Sequence, residues 1–470
     1  MPLQKLQLFL AKFVIDHCKN VFAFEIRVLF VCGLSGGDKK CQTYDDTPRR
    51  FSWTRIYFKQ KLRIIGEGEK IMKLFAFGSN GSGQLALNHT EDVSSPTECL
   101  FDQPPATDDA IVCIAAGGNH TLLLTESGCV YAAGSNTDGR CGLDMSDSEN
   151  LLSFRRVVLS DAETGSRVDT FKCVSATWEG SILVASVQKF GSRGVYEDKV
   201  FVTGSSPKGE LGLQLQSTST PSDSVVQTGS SIPVFPPQGT NVISLASGMG
   251  HTIAVLSNGD VYGWGGSRKG QLGETLKDLK IVWTPAKVEG VPFAAQSAVC
   301  GREFSVVCGD RGKGEIVVLG DKANRWGVLD VPGSLRDMGS NGSGGVLGFS
   351  SIGASWHGIY IHATSQTSTP EPDSAPLTAW GRNDRGQLPP DNLPPPVKLA
   401  VGSEHVLVLL RDGAVAAFGW GEHGNCGPDT DERGNVAGRY SLITLDAVLA
   451  GDERVIGLGA GCATSWIVTE

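Results

Sequence analysis

A strand, turn and strand unit recurs along this chain, and its copies run out of phase at the two ends; no other feature restricts the possible folds as strongly. The fullest copy is Val242 to Gly273, VISLASGMGHTIAVLSNGDVYGWGGSRKGQLG. A strand leads to Gly248, and His251 and Thr252 open an apolar run that ends at Leu256. Ser257, Asn258, Gly259 and Asp260 form a turn, because Asn-Gly supplies the positive φ angles of a tight hairpin. A second strand, Val261 to Trp264, enters the loop between Gly265 and Gly270.

The second half of the unit, a G-x-x-x-x-G loop, starts at Gly78, Gly134, Gly204, Gly265, Gly381 and Gly419, with a degenerate copy at Gly320 in which Arg325 stands for the second glycine. The first half, a small residue three before a His or its substitute, starts at Gly117, Ala176, Gly248, Gly301, Ala354, Gly402 and Gly461, so each half occurs seven times. The first recognisable element, Lys73 to Leu87, is a second half; the last, GAGCATSWIVTE, is a first half. Pairing Ser465 to Thr469 with Lys73 to Phe77 unites them in one composite sheet and closes a ring. The expected fold is all-β, a seven-bladed β-propeller closed by pairing of the N-terminal and C-terminal strands.

The motifs resemble the repeat of the regulator of chromosome condensation family: apolar strand, G-x-x-H-[ST], apolar strand, G-x-V-[YF], then W-G-x-N-x-x-G-Q-L-G. LFAFGSNGSGQL, GGNHTLLLTESGCVYAAGSNTDGRCG and GHTIAVLSNGDVYGWGGSRKGQLG fit closely, whereas Val174 to Gly212 and Val299 to Gly327 are eroded. The resemblance covers Met72 to Glu470.

Residues 1–71 stand outside the repeat. They carry +6 while residues 72–470 carry −15, for a net charge of −9. Such a balance argues against a general nucleic-acid binder, which needs a basic face to displace counterions. Apolar stretches in the leader are broken by Lys12, Glu25 and Arg27, so none reaches the length of a membrane span. Met72 is the expected start of the working protein, with the leader a flexible extension or an error in the gene model.

The 60 glycines fall at turns of the repeat, not in a collagen-like period. The twelve cysteines include no C-x-x-C pair, so buried thiols in a reducing compartment, cytoplasmic with a nuclear share, are expected. The sequons at Asn80, Asn88, Asn119 and Asn341 read as unglycosylated, Asn119 because a repeat loop there should be packed. The insertions Leu213 to Thr240 and Thr364 to Pro376 are rich in Ser, Thr, Pro and Gly, Pro389 to Pro396 is rich in proline, and all three read as surface loops.

His120, His251, His357 and His405 read as equivalent residues of four blades, each satisfied within its own turn. An equivalent residue in successive repeats solves a structural problem of the repeat, so no metal, cofactor or catalytic residue is assigned. The G-x-x-x-x-G loops lack the Lys and Ser or Thr that a phosphate loop places after its second glycine. Gln84, Arg140, Glu210, Gln271 and Gln387 follow instead.

The most distinctive stretch is FGWGEHGNCG, Phe418 to Gly427. Trp420, Glu422, His423 and Asn425 fill loop positions that other copies give to Ser, Asn, Lys or Arg. An aromatic with polar neighbours on a rigid loop has the composition of an interface anchor. Trp178 and Trp356, which interrupt repeat turns, complete the expected partner-binding set.

That stretch, with MKLFAFGSNGSGQLALNHTEDVSSP and GSEHVLVLL, is similar to a fungal branch of the family known from alpha-tubulin suppression and killer-toxin insensitivity. This resemblance implies a non-enzymatic regulator that binds a small metal-carrying protein of diphthamide biosynthesis, an electron donor that also serves the Elongator complex in wobble-uridine modification of transfer RNA. Elongator is a second partner so implied; direct nucleic-acid or membrane binding is not, and the chain is expected to be a monomer until its partner binds. The alternatives are guanine-nucleotide exchange on a Ran-like small GTPase and a generic interaction platform such as a ubiquitin-transfer adaptor.

Overall fold

Seven antiparallel blade sheets succeed one another along the chain in the computed structural model, with a two-stranded ribbon of Leu159–Ser160 and Arg167–Val168 between the second and the third. It describes residues 72–470 except 145–147, 189–193, 195, 215–224, 334–347, 364–376, 446–448 and 450–452. The leader, the sequon at Asn341 and the insertion at 364–376 lie outside the described residues.

Blade 1 joins the termini. Its strand order runs Val455–Ala460, Thr464–Thr469, Lys73–Gly78 and Val93–Glu98. The register pairs Lys73 with Thr469 and Phe77 with Ser465, as the out-of-phase ends require. Blades 2, 3, 4 and 7 are also four-stranded, whereas blades 5 and 6 have three strands among the described residues. The innermost strands are Val455–Ala460, Ile111–Ala116, Cys173–Ala176, Val242–Ser247, Ser297–Cys300, Phe349–Ala354 and Pro396–Val401. They surround a central channel of about 390 Å³. One surface-loop expectation fails: Val225–Ser231, inside the 213–240 insertion, is the outer strand of blade 3. Its Val226 is buried, and that apolar contact outweighs the polar composition around it.

Six blades turn the same corner. In blade 4 the Gly266 N–H donates to Gly250 O at 2.7 Å, which holds the G-x-x-x-x-G loop against the turn before His251. The same bond recurs from Ser79 to Ala463, Ser135 to Asn119, Ser205 to Glu179, Arg382 to His357 and Trp420 to Glu404. Turn and loop therefore share one end of the propeller, the loop face. The corner needs glycine: Gly265 has φ +95°, and a Cβ there would lie 2.6 Å from Gly250 O.

The histidines bind neighbouring blades together and are not satisfied within their own turns. His120 Nε2 meets Ser181 Oγ at 2.9 Å, His251 Nε2 meets Ser305 Oγ at 3.0 Å and His405 Nε2 meets Ser465 Oγ at 2.9 Å. Each serine belongs to the next blade and donates its one proton back to a carbonyl of the first, Arg140, Gln271 or Asn425. The imidazole must then donate from Nε2, which makes it the neutral Nε2–H form. Burial supports this, lowering the pKa to about 3 for His120 and about 4 for His251 and His405.

His357 is not a fourth member. Strand pairing sets His120, His251 and His405 opposite Gly134, Gly265 and Gly419, but sets Gly358 opposite Gly381. His357 thus sits one position earlier, on the loop face. By the same register the turns of blades 3 and 6 begin at Thr177 and Ser355, not at Ala176 and Ala354. The loop from Gly320 is also longer than read. Gly327, with φ +69°, is its second glycine, and the Asn324 side chain accepts from Leu329 N as Asn80 does from Leu85 N. The two inserted residues lie between Gly320 and Asn324, and Arg325 is the exposed counterpart of Gly81, not of the second glycine.

Candidate functional site

The residue two before the His position is Gly118, Trp178, Met249, Arg302, Trp356, Ser403 or Cys462, and all of these but Gly118 and Arg302 line the channel mouth. Backbone bonds link these turns. Gly118 N–H donates to Trp178 O and Trp178 N–H to Met249 O, both at 3.1 Å; Trp356 N–H donates to Ser403 O and Ser403 N–H to Gly461 O, both at 2.8 Å. Trp178 of blade 3 and Trp356 of blade 6 meet over the mouth with ring centroids 6.0 Å apart. Both stay half-buried. Two tryptophans thus cap the channel on a rigid rim.

From this cap an arc of alternating Trp and Arg runs along blades 5 to 7. Arg302 lies over Trp356 at 5.3 Å, Arg325 and Arg382 over Trp326 at 4.9 Å, and Arg385 over Trp420 at 5.2 Å. Two of these guanidinium groups, those of Arg382 and Arg385, converge on Glu404, which is buried. Arg382 Nη1 lies 2.6 Å and Arg385 Nη1 3.5 Å from its carboxylate. His357 packs 5.7 Å from Trp326. Burial first, then the Arg382 and Arg302 charges, lowers its pKa to about 4, so it is neutral at physiological pH.

Four of the six expected contact residues, Trp178, Trp356, Trp420 and His423, line one hollow of about 350 Å³ together with Asn119 and Arg385. Trp420 Nε1 donates to Glu422 Oε2 at 3.1 Å, and His423 Nδ1 meets Asp92 Oδ2 of blade 1 at 2.8 Å. Glu422 is exposed at the rim. Asn425 stands apart: it is fully buried, and its Nδ2 donates to Trp420 O at 2.7 Å. It positions the Trp420 backbone and offers a partner no surface. Asn119, expected to be packed, is exposed in the hollow, while Asn80 is buried and Asn88 exposed.

Sequence reasoning missed Trp326, Arg302, Arg325, Arg382, Arg385 and Glu404. The available signal was the departure from Ser, Asn and Gly in GDKANRWG and GRNDRGQ.

Glu210 of blade 3 occupies the place that Gln84, Gln271 and Gln387 take elsewhere. Its Oε2 accepts the Lys208 N–H at 2.6 Å, as each glutamine Oε1 accepts from the residue two before it. Burial raises its pKa from 4.5 to about 7. Below about pH 4.5 the carboxyl is protonated in the folded and unfolded chain alike. Between pH 4.5 and 7 only the unfolded chain gives up the proton, so stability falls as pH rises through that window. Glu210→Gln keeps the hydrogen bond and removes the loss. It should match the wild type near pH 4.5 and exceed it by about 1–3 kcal/mol at pH 8. Urea denaturation across that range is the check, and a pH-independent difference would contradict it.

No helix among the described residues is long and apolar enough to cross a membrane. The chain matches two family models, both described as "Regulator of chromosome condensation (RCC1) repeat", over residues 73–124 and 258–308 in one and 111–140 and 242–271 in the other. It is 32% identical to an RCC1 repeat-containing protein of Schizosaccharomyces pombe over 84% of this chain and 99% of that protein. It is 26% identical to the secretion-regulating guanine nucleotide exchange factor of Mus musculus, covering 84% of this chain and 83% of that one. Among solved structures, Prp20p of Saccharomyces cerevisiae superposes with a TM-score of 0.62 at 19% identity, covering 85% of this chain and 92% of that one.

Proposed function

The chain belongs to the family built from regulator of chromosome condensation repeats, and on that premise we propose that it is a non-enzymatic regulator that docks a protein partner on its loop face. The observation that carries this reading is the Trp and Arg arc. Interface energy concentrates in Trp, Tyr and Arg set on rigid supports and ringed by polar residues. Here Trp178, Trp356, Trp326 and Trp420 and their guanidinium neighbours lie on turns that hydrogen bonds fix in place. Preorganisation of this kind limits the ordering entropy lost on association.

The partner we propose is the small metal-carrying electron donor of diphthamide biosynthesis, in the cytoplasm or nucleus, with Elongator-dependent transfer-RNA modification as the second process served. The similarity of FGWGEHGNCG and the N-terminal repeat to the fungal branch supports that identity. The metal would belong to the partner. Calorimetric titration of the full chain with the metal-loaded donor of the same organism should give saturable one-to-one binding. Absence of binding by folded, monomeric protein would reject the identity.

The likeness to a mouse exchange factor favours a second reading, guanine-nucleotide exchange on a small GTPase. Catalytic amounts of the chain would then accelerate release of labelled GDP from the GTPase. The donor would not compete unless both used the loop face.

A further inference from the structure

The loop face holds a second feature beside the arc, a cleft of about 510 Å³ where blades 3, 4 and 5 meet. Its cations come from separate elements: Lys208 from the blade 3 loop, Arg268 and Lys269 from the blade 4 loop, Lys280 from the start of the outer strand of blade 4, and Arg302 from the turn of blade 5. The lining contains one carboxylate, Glu303. Lys208, Arg268 and Lys280 are exposed, and none forms an ion pair among the described residues. Lys269 reaches Asp321 at 3.1 Å, and Arg302 is stacked on Trp356. The floor between them is the backbone of Gly250 and Gly266 with the side chains of Met249 and Ile281, so an extended chain can approach closely.

We propose that this cleft is a docking groove for a short acidic segment of the protein partner. Residues 72–470 carry −15, so five cations lining one cleft, three of them without an ion pair among the described residues, run against the sign of the chain as a whole. Such a concentration of charge steers an anionic group to this part of the loop face. A nucleic-acid strand fits less well, because its continuing phosphates would face Glu303 in the lining and Asp321 beside it. An acidic peptide segment ends its charge where the cleft ends. Arg302 belongs both to the cleft and to the Trp356 stack, so one partner can seat an aromatic-seeking surface on the arc and its acidic segment in the groove. The inference rests on the reading of the loop face as the docking face, and on no particular partner.

The test uses the full chain and fluorescence anisotropy with labelled oligo-glutamate, oligo-glutamine and oligo-uridine as probes. Oligo-glutamate should bind, more weakly as salt rises. The triple variant Lys208→Glu, Arg268→Glu, Lys280→Glu should lose about tenfold or more in affinity. Circular dichroism confirms its fold, and the three side chains are exposed enough for substitution to leave the core intact. Equal binding of oligo-glutamine, unchanged binding by the triple variant, or tighter binding of oligo-uridine would each overturn the groove. The diphthamide donor is titrated in parallel. Donor binding that survives the triple variant at full strength overturns the groove while leaving the docking face intact. Oligo-glutamate binding with no donor binding upholds the groove and rejects only the donor.

Discussion

Removing residues 464–470 should abolish cooperative unfolding of the propeller. The strand Thr464–Thr469 lies between Val455–Ala460 and Lys73–Gly78, so its loss leaves neither neighbour with a partner on that side. Every residue of it is buried, and Trp466, Ile467 and Val468 are its apolar load. Each such side chain contributes about 1.5–3 kcal/mol by burial, against a total stability of about 5–15 kcal/mol for a typical domain. The deletion also removes Ser465, leaving His405 Nε2–H and Asn425 O without their shared hydroxyl. Thermal unfolding followed by circular dichroism should change from a sharp transition to a broad one. A sharp transition within a few degrees of the wild type would show that six blades hold without the closing strand.

The second large effect concerns the arc. Trp420→Ala and Trp356→Ala should each weaken donor binding by about 2 kcal/mol, roughly 30-fold in Kd. Trp420 owes its place to Arg385 above it and to Asn425 and Glu422 beside it, so truncation opens a gap in a rigid surface. Trp356 supports both Trp178 and Arg302, so its loss should also loosen the cap over the channel. Calorimetry on the two variants and their double mutant measures both effects. Their energies should add if the partner contacts the two tryptophans independently. Wild-type affinity in both folded variants would remove the arc from the interface.

Ring closure was legible because turn chemistry repeats while the chain ends do not. Gly265 and its counterparts are required by a positive φ, and a repeated requirement leaves a repeated letter. Register was less legible where a letter recurred for another reason. In ASWHG the histidine lies one place before the position that Gly358 fills, and only the pairing of Gly358 with Gly381 reveals this. The loop from Gly320 was misread in the same way, because two inserted residues move its second glycine to Gly327. Trp178, Trp356, Trp420 and His423 stood out one by one as departures from the repeat. Their proximity did not, since it depends on how the turns of separate blades converge at the channel mouth. Asn425 misled because it is polar in a distinctive loop, yet its position is one that other blades fill with a buried glutamine.

The histidine and serine pairs give the ring a reading order. His120, His251 and His405 are each followed, one blade on, by Ser181, Ser305 and Ser465. At that same position blades 6 and 7 carry Ile359 and Val406. Exchanging blades 5 and 6 would face His251 with an isoleucine and strand a buried N–H donor. The blades look interchangeable in outline, but the three that carry the histidine are each spelled for their successor, and even a second copy of blade 7 placed after the first would set Val406 opposite His405.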